Sequence, residues 1–234
     1  MMGDIEGLLH GISVWILPIL TAVTLHEAAH GWVAWKLGDE TAHRLGRVSF
    51  NPLRHIDRFG TILLPGLLLL AHAPFLFGYA KPVPVNFRQL HQPRRDMVLV
   101  AAAGPGINIV MAIVAAGLLH LVSSMPAGIA GWVTENLENA VLINVVLAIF
   151  NMLPLLPLDG GRVLTGLLPR KLALPFARTE RYGMFLLIGL LVLPPLIAAQ
   201  MGSNFSLIGW IMGPPVQYVL DLVLMLTGWG GAGG

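Results

Sequence analysis

The chain has 234 residues, of which 56% are hydrophobic and 11% charged, with a formal net charge of +2. Ordinary soluble domains carry roughly 25% charged residues, so this composition excludes a soluble globular protein. There is no cysteine, which excludes disulfides, thiolate metal sites and cysteine nucleophiles. The basic residues do not gather on one helix or in an aromatic-interleaved tract, so no nucleic-acid partner is expected.

In chain order, several apolar runs approach or exceed the roughly 20 residues that cross a bilayer. Full spans are expected at 11–36, 97–122, 139–158, 183–200 and 205–228. They describe an all-α polytopic membrane protein, a single domain over 1–234 with its core at 12–170 and peripheral helices at 183–228. The leader carries Asp4 and Glu6 where a signal peptide has basic residues, so the first segment is expected to stay as a helix. A sixth run, TILLPGLLLLAHAPFLFGY over 61–79, is interrupted by Pro65-Gly66 and Pro74. Broken backbone is tolerated at membrane depth where protein covers it, and this run is expected to dip into the membrane and return. A short β-element is expected beside it, from the alternating RLGRVSF at 44–50 or from 79–86, as an edge on which an unwound substrate could pair.

All fourteen Lys and Arg fall in three blocks, Lys36 to Arg58, Lys81 to Arg95 and Arg162 to Arg181. Basic residues in short loops mark the cytoplasmic face. If 61–79 does not cross, every block lies inside, the N-terminus outside and the C-terminus in the cytoplasm.

The first span closes on HEAAH, where His26 and His30 are four residues apart and so share one helix face. Such a pair can chelate one zinc ion, with Glu27 placed as base toward a water rather than as a ligand. Ionisable groups at membrane depth are costly and mark function by default. Catalytic zinc usually takes a third protein ligand. The candidate is Asp159 in NMLPLLPLDGGRV, where Pro154 and Pro157 must loosen the helix and Gly160-Gly161 permit a close turn. An Asp159–Arg162 pair or a helix cap is the alternative for that acid. Two full crossings lie between the motifs, so both return to the same face and fit one site. Asn108 in GPGIN reads as a helix-packing hydrogen-bonder near the site, with a substrate contact as its alternative. Asp221 in the last span reads as a polar helix contact.

HEAAH late in one span, AAAGPGIN opening the next and FNMLPLLPLDGG ending the third resemble the site-2 protease family of intramembrane zinc metalloproteases, over roughly residues 12–170. NPLRHID and YAKPVPVN look like its compact bacterial branch. The resemblance implies His26, His30 and Asp159 as ligands of one Zn2+, Glu27 as general base, and Asn151 as a holder of substrate backbone. It implies hydrolysis of membrane-spanning substrates near the cytoplasmic face of a bacterial inner membrane, as in regulated intramembrane proteolysis. Residues 123–138 are too few for the PDZ domain that many relatives carry. A catalytically silent scaffold of the same fold and a transporter are the competing readings. Intact HEAAH with Asp159 argues against the first, and the lack of matching inverted halves against the second.

Overall fold

A computed structural model describes residues 2–63, 67, 79–203 and 205–229, and among them every regular element is helical. The helices of 8 residues or more are α1 (Met2–Lys36), α2 (Pro93–Val122), α3 (Ala127–Asn151), α4 (Asp159–Leu167), α5 (Arg170–Ala177), α6 (Glu180–Gln200) and α7 (Leu207–Leu226). Five of these, α1, α2, α3, α6 and α7, are long and apolar enough to cross a membrane. Their large apolar side chains, among them Leu17, Val114, Phe185 and Ile197, are exposed on the outside of the bundle. That is the pattern of a protein whose outer solvent is hydrocarbon.

The interior is made of small residues. Ala112, Ala115 and Ala116 of α2 meet Val141 and Val145 of α3 and Val223 of α7. Lipid gives apolar side chains no reason to leave it, so helices associate through close packing, which small residues permit.

Helix α3 begins at Ala127, well before the expected start at 139, and ends at Asn151. Its polar first half, which reads from sequence as a loop, is helical because α1 supplies partners. Glu135 meets His10 at 2.8 Å, Trp132 Nε1 donates to Ser13 Oγ at 3.0 Å, and Asn139 Nδ2 donates to the Val14 carbonyl at 3.1 Å. The connection from α2 therefore shrinks to residues 123–126. Beyond Asn151 the prolines halt the helix, and α4 folds back against the loop that follows it and packs on α2. A Cβ at Gly160 would strike the Met152 carbonyl, and one at Gly161 would lie 2.6 Å from the Leu156 amide. Only glycine allows this return, and it aims Asp159 inward. Arg94 locks the far end of α4 to α2 by donating to the carbonyls of Gly166 and Leu168.

The expected β-element is not formed, since no strand occurs among the described residues. In 44–50 the backbone is spent on turns, with Gly46 N donating to His43 and Arg47 N to Ala42. In 79–86, Pro82 and Pro84 have no N–H to give a ladder, and the Val83 amide goes to Glu27. Most of the expected membrane-dipping run, 64–66 and 68–78, lies outside the described residues. Its flanks are joined: Tyr79 N donates to the Gly60 carbonyl at 3.0 Å, and Lys81 N to that of His55 at 2.9 Å.

The end of α7 corrects a second expectation. His120, near the end of α2, stacks on Trp229 with ring centroids 4.5 Å apart and approaches the Thr227 carbonyl at 2.6 Å; Trp229 Nε1 donates to Ala116. Helix α7 thus runs parallel to α2 and finishes where α1 and α3 begin. Helix α6 starts at the opposite end, with Gly183 against the Leu156 carbonyl and Glu180 3.7 Å from Arg162. Together α6 and α7 carry the chain across once, so the first and last described residues lie at the same end of the bundle. Counting apolar runs assumes that each one crosses fully, and hydropathy alone cannot show that two consecutive runs make one net passage. A tag joined after Gly234 is expected to be accessible from the same side of sealed vesicles as a label on Ser124→Cys, and from the side opposite Arg88→Cys. Protection of the tag together with position 124 exposed would contradict this arrangement.

Candidate metal centre

Two elements distant in sequence supply the donors. On α1, His26 and His30 lie one turn apart with ring centroids 4.7 Å apart and planes at 83°. Asp159 enters from the first turn of α4. His26 Nε2, His30 Nε2 and Asp159 Oδ2 stand 3.1, 3.1 and 3.2 Å from one another, and all three residues are buried.

The far nitrogen of each ring is already engaged. His30 Nδ1 lies 2.7 Å from the Val100 carbonyl, which can only accept, so this nitrogen carries the proton. His26 Nδ1 lies 2.6 Å from Asn108 Oδ1. The Asn108 amide end donates to Asn144 Oδ1 at 2.7 Å, and Asn144 donates in turn to the Ala140 carbonyl. That chain fixes Asn108 Oδ1 as an acceptor and His26 Nδ1 as a donor. Both Nε2 lone pairs therefore face the carboxylate oxygen. Such an arrangement orients imidazoles for a metal.

The donor set suits zinc. A tetrahedral ion about 2.0–2.1 Å from each donor would hold the donors roughly 3.3–3.4 Å apart, within a few tenths of an ångström of the triangle observed. The three residues can offer one ligand atom each within 4.8 Å of one another. An ionised Asp159 carboxylate would supply the negative charge that two neutral imidazoles do not. The acid is thus a ready anionic ligand. The competing roles for it are not realised: Arg162 faces Glu180 and the Phe87 ring, and Asp159 makes no capping bond.

Helix α2 closes over the cluster at Gly104. A Cβ there would lie 2.6 Å from His26 Nε2 and would also strike His30 Nε2. Glu27, half-buried beside the cluster, accepts a 2.7 Å hydrogen bond from the Val83 amide. The strap that carries Val83 is anchored by Asp39, which is fully buried and accepts from Asn86 N at 2.6 Å and from Thr41 N at 2.9 Å. Leu90 packs with Ala34 and Val100 behind it.

The structure brings His26, His30 and Asp159 into one cluster and places Glu27 on the same helix, bonded to the Val83 amide. Asn108 joins them in a different capacity. It is fully buried, with both ends of its amide in hydrogen bonds to protein, so it supports His26 and leaves nothing for a substrate. Asn151 remains on the last turn of α3, half-buried, its amide bonded to its own helix at Leu147. Gly104, Val100, Asn144, Val83 and Asp39 are not legible from spacing; the only hint was the GPG around Gly104, which signals close approach.

Asn108→Ala is expected to lower zinc affinity by about 10–100-fold, read by competition with a chromogenic chelator. Gly104→Ala should lower it at least as far while leaving the helical circular dichroism intact. Unchanged affinity in both would remove the supporting roles assigned to α2.

The profile of peptidase family M50 matches residues 14–136 and 116–194. A Bacillus subtilis (strain 168) protein named "Putative zinc metalloprotease YwhC" is 36% identical over 210 residues, covering 85% of this chain and 92% of that protein. "Putative zinc metalloprotease Rip2" of Mycolicibacterium smegmatis (strain ATCC 700084 / mc(2)155) is 28% identical over 189 residues, covering 79% of this chain and 70% of that one. No solved structure matches. The chain belongs to peptidase family M50, the site-2 protease family of zinc-dependent membrane proteases.

Proposed function

We propose that His26, His30 and Asp159 hold the zinc ion of this protease, that Glu27 is its general base, and that it cleaves membrane-spanning substrates near the cytoplasmic face. The observation that carries this reading is the buried triangle of two Nε2 atoms and one carboxylate oxygen, with both Nδ1 atoms already bound. His26, His30 and Asp159 would hold the zinc, which would supply Lewis-acid chemistry for peptide hydrolysis. His26 and His30 present lone pairs in fixed tautomers, and Asp159 contributes the negative charge. Glu27 takes a proton from the attacking water and returns it to the leaving amine nitrogen. The Val83 amide holds the Glu27 carboxylate in one orientation. Asn151, at the last turn of α3 before the loop that leads to Asp159, would rotate off its helix to hold substrate backbone.

The membrane setting follows from the five candidate spans and the three basic blocks, whose loops lie at the metal-centre end. That end is read as cytoplasmic, in a bacterial inner membrane. The whole chain is read as one protease domain with its core over 12–170. The 61–79 run is read as re-entrant, because the bonds joining residues 55 and 60 to residues 81 and 79 return its two flanks to one place.

Two experiments test the proposal. Glu27→Gln is expected to keep one zinc per chain and to lose cleavage of a tagged transmembrane substrate by at least about 100-fold, the scale of general base catalysis. Equal cleavage by both proteins would reject the mechanism, and a wild type without zinc would reject the site. His55→Cys and Arg88→Cys are expected to label from the same side of sealed vesicles; opposite sidedness would reject re-entry.

A further inference from the structure

Asp39 is a buried carboxylate that the chemistry above leaves out. It lies just beyond the end of α1 at Lys36 and is fully buried. No cation pairs with it among the described residues; it accepts three hydrogen bonds instead. Oδ1 takes the Thr41 amide at 2.9 Å and the Thr41 hydroxyl, and Oδ2 takes the Asn86 amide at 2.6 Å. A buried charge persists only where such donors replace its lost hydration. The two bonds from Thr41 close a local turn. The third reaches 47 positions along the chain, into the strap.

The strap reads Lys-Pro-Val-Pro-Val-Asn over 81–86. Pro82 and Pro84 have no N–H, so Val83 is the one backbone donor of 82–84, and its amide goes to Glu27 Oε2 at 2.7 Å. That donor is held on three sides. Its side chain is buried against α1 at Gly31, where a Cβ would lie 3.1 Å from Val83 Cγ1. Just before it, Lys81 N donates to the His55 carbonyl at 2.9 Å, and Arg47 donates to the Lys81 carbonyl at 2.7 Å. Just after it, Asp39 holds Asn86. Pro84 fixes one torsion of the intervening backbone and confines Val83 to extended conformations. A displacement at Asn86 is therefore passed to Val83 with little absorbed between them.

We propose that Asp39 is a positioning residue of the reaction: by holding Asn86 it places the Val83 amide, and through that amide it orients the Glu27 carboxylate. The inference rests on Glu27 as the general base, and it adds a group outside the metal centre on which the rate depends. A base is effective when it is held within reach of the proton it takes. Among the described residues the Val83 amide is the only hydrogen-bond partner of the Glu27 side chain, so no second contact selects among its rotamers. Asp39→Asn isolates the link. The amide has one acceptor oxygen and one NH2 group. With the oxygen facing Thr41, where two donors meet it, the turn is kept and the NH2 faces the Asn86 amide, donor against donor.

In the full chain, Asp39→Asn is expected to bind one zinc and to cleave a tagged transmembrane substrate with kcat lowered about 10–100-fold and KM within about twofold. Val83→Pro deletes the amide hydrogen from backbone that is already extended, and should lower kcat to a similar extent. The double variant should be no slower than the slower single one, because both changes remove the same contact. A wild-type kcat in Asp39→Asn or in Val83→Pro, a loss confined to KM, loss of zinc, or losses that multiply in the double variant would each overturn the proposal. Wild-type cleavage by Glu27→Gln would instead remove the general base on which it rests, whereas an inactive Glu27→Gln beside a fully active Asp39→Asn would reject this inference alone.

Discussion

Two neutral imidazoles whose bare nitrogens stand 3.1 Å apart repel one another unless a positive centre lies between them, and most of the fold can be understood as the means of imposing that contact. In a low-dielectric interior the repulsion is undiluted, so each ring must be held from behind. Val100 and Asn108 do this from α2, and Asn144 of α3 braces Asn108. The carboxylate that balances the pair comes from a separate helix, which Gly160 and Gly161 allow to fold back on the loop that follows α3. Gly104 is the corresponding concession on α2, since any side chain there would occupy the space the donors share.

What the sequence showed and what it hid follow the reach of its patterns. His26, Glu27 and His30 are legible because one helical turn fixes their relation. Asp159 is legible as a broken-helix acid, and the resemblance to known proteases sharpened it. The supports were not legible, because a backbone carbonyl such as that of Val100 carries no sequence signal, and Asn144 is one of several polar residues of α3, with its partner 36 positions away. Asn108 could be placed near the site but not assigned, since hydrogen-bonding capacity does not reveal which neighbour uses it. The polar start of α3 misled for the opposite reason: Glu135 and Asn139 look solvated until α1 is seen beside them. The alternation in RLGRVSF suggested a strand, but alternation says nothing about whether a partner strand exists.

Helices α1 and α3 form the frame on which this geometry is carried. At the far end they are joined by His10 with Glu135, Ser13 with Trp132 and Val14 with Asn139. Deeper in, Asn108 donates to Asn144 on α3 and also reaches the Ala22 carbonyl of α1 at 3.4 Å, one turn before His26. The links therefore occur at successive depths along the same pair of helices. Sixteen positions of α1, about 24 Å of helix, separate His10 from His26, so a rotation of α1 that moved the rings would break the outer links as well. Each link is a neutral or singly charged hydrogen bond of modest strength on its own. Their value lies in being distributed, because a rigid helix held at both depths has no single contact about which it can pivot. The metal-binding face of α1 is thus set by polar contacts made as far away as the opposite side of the membrane.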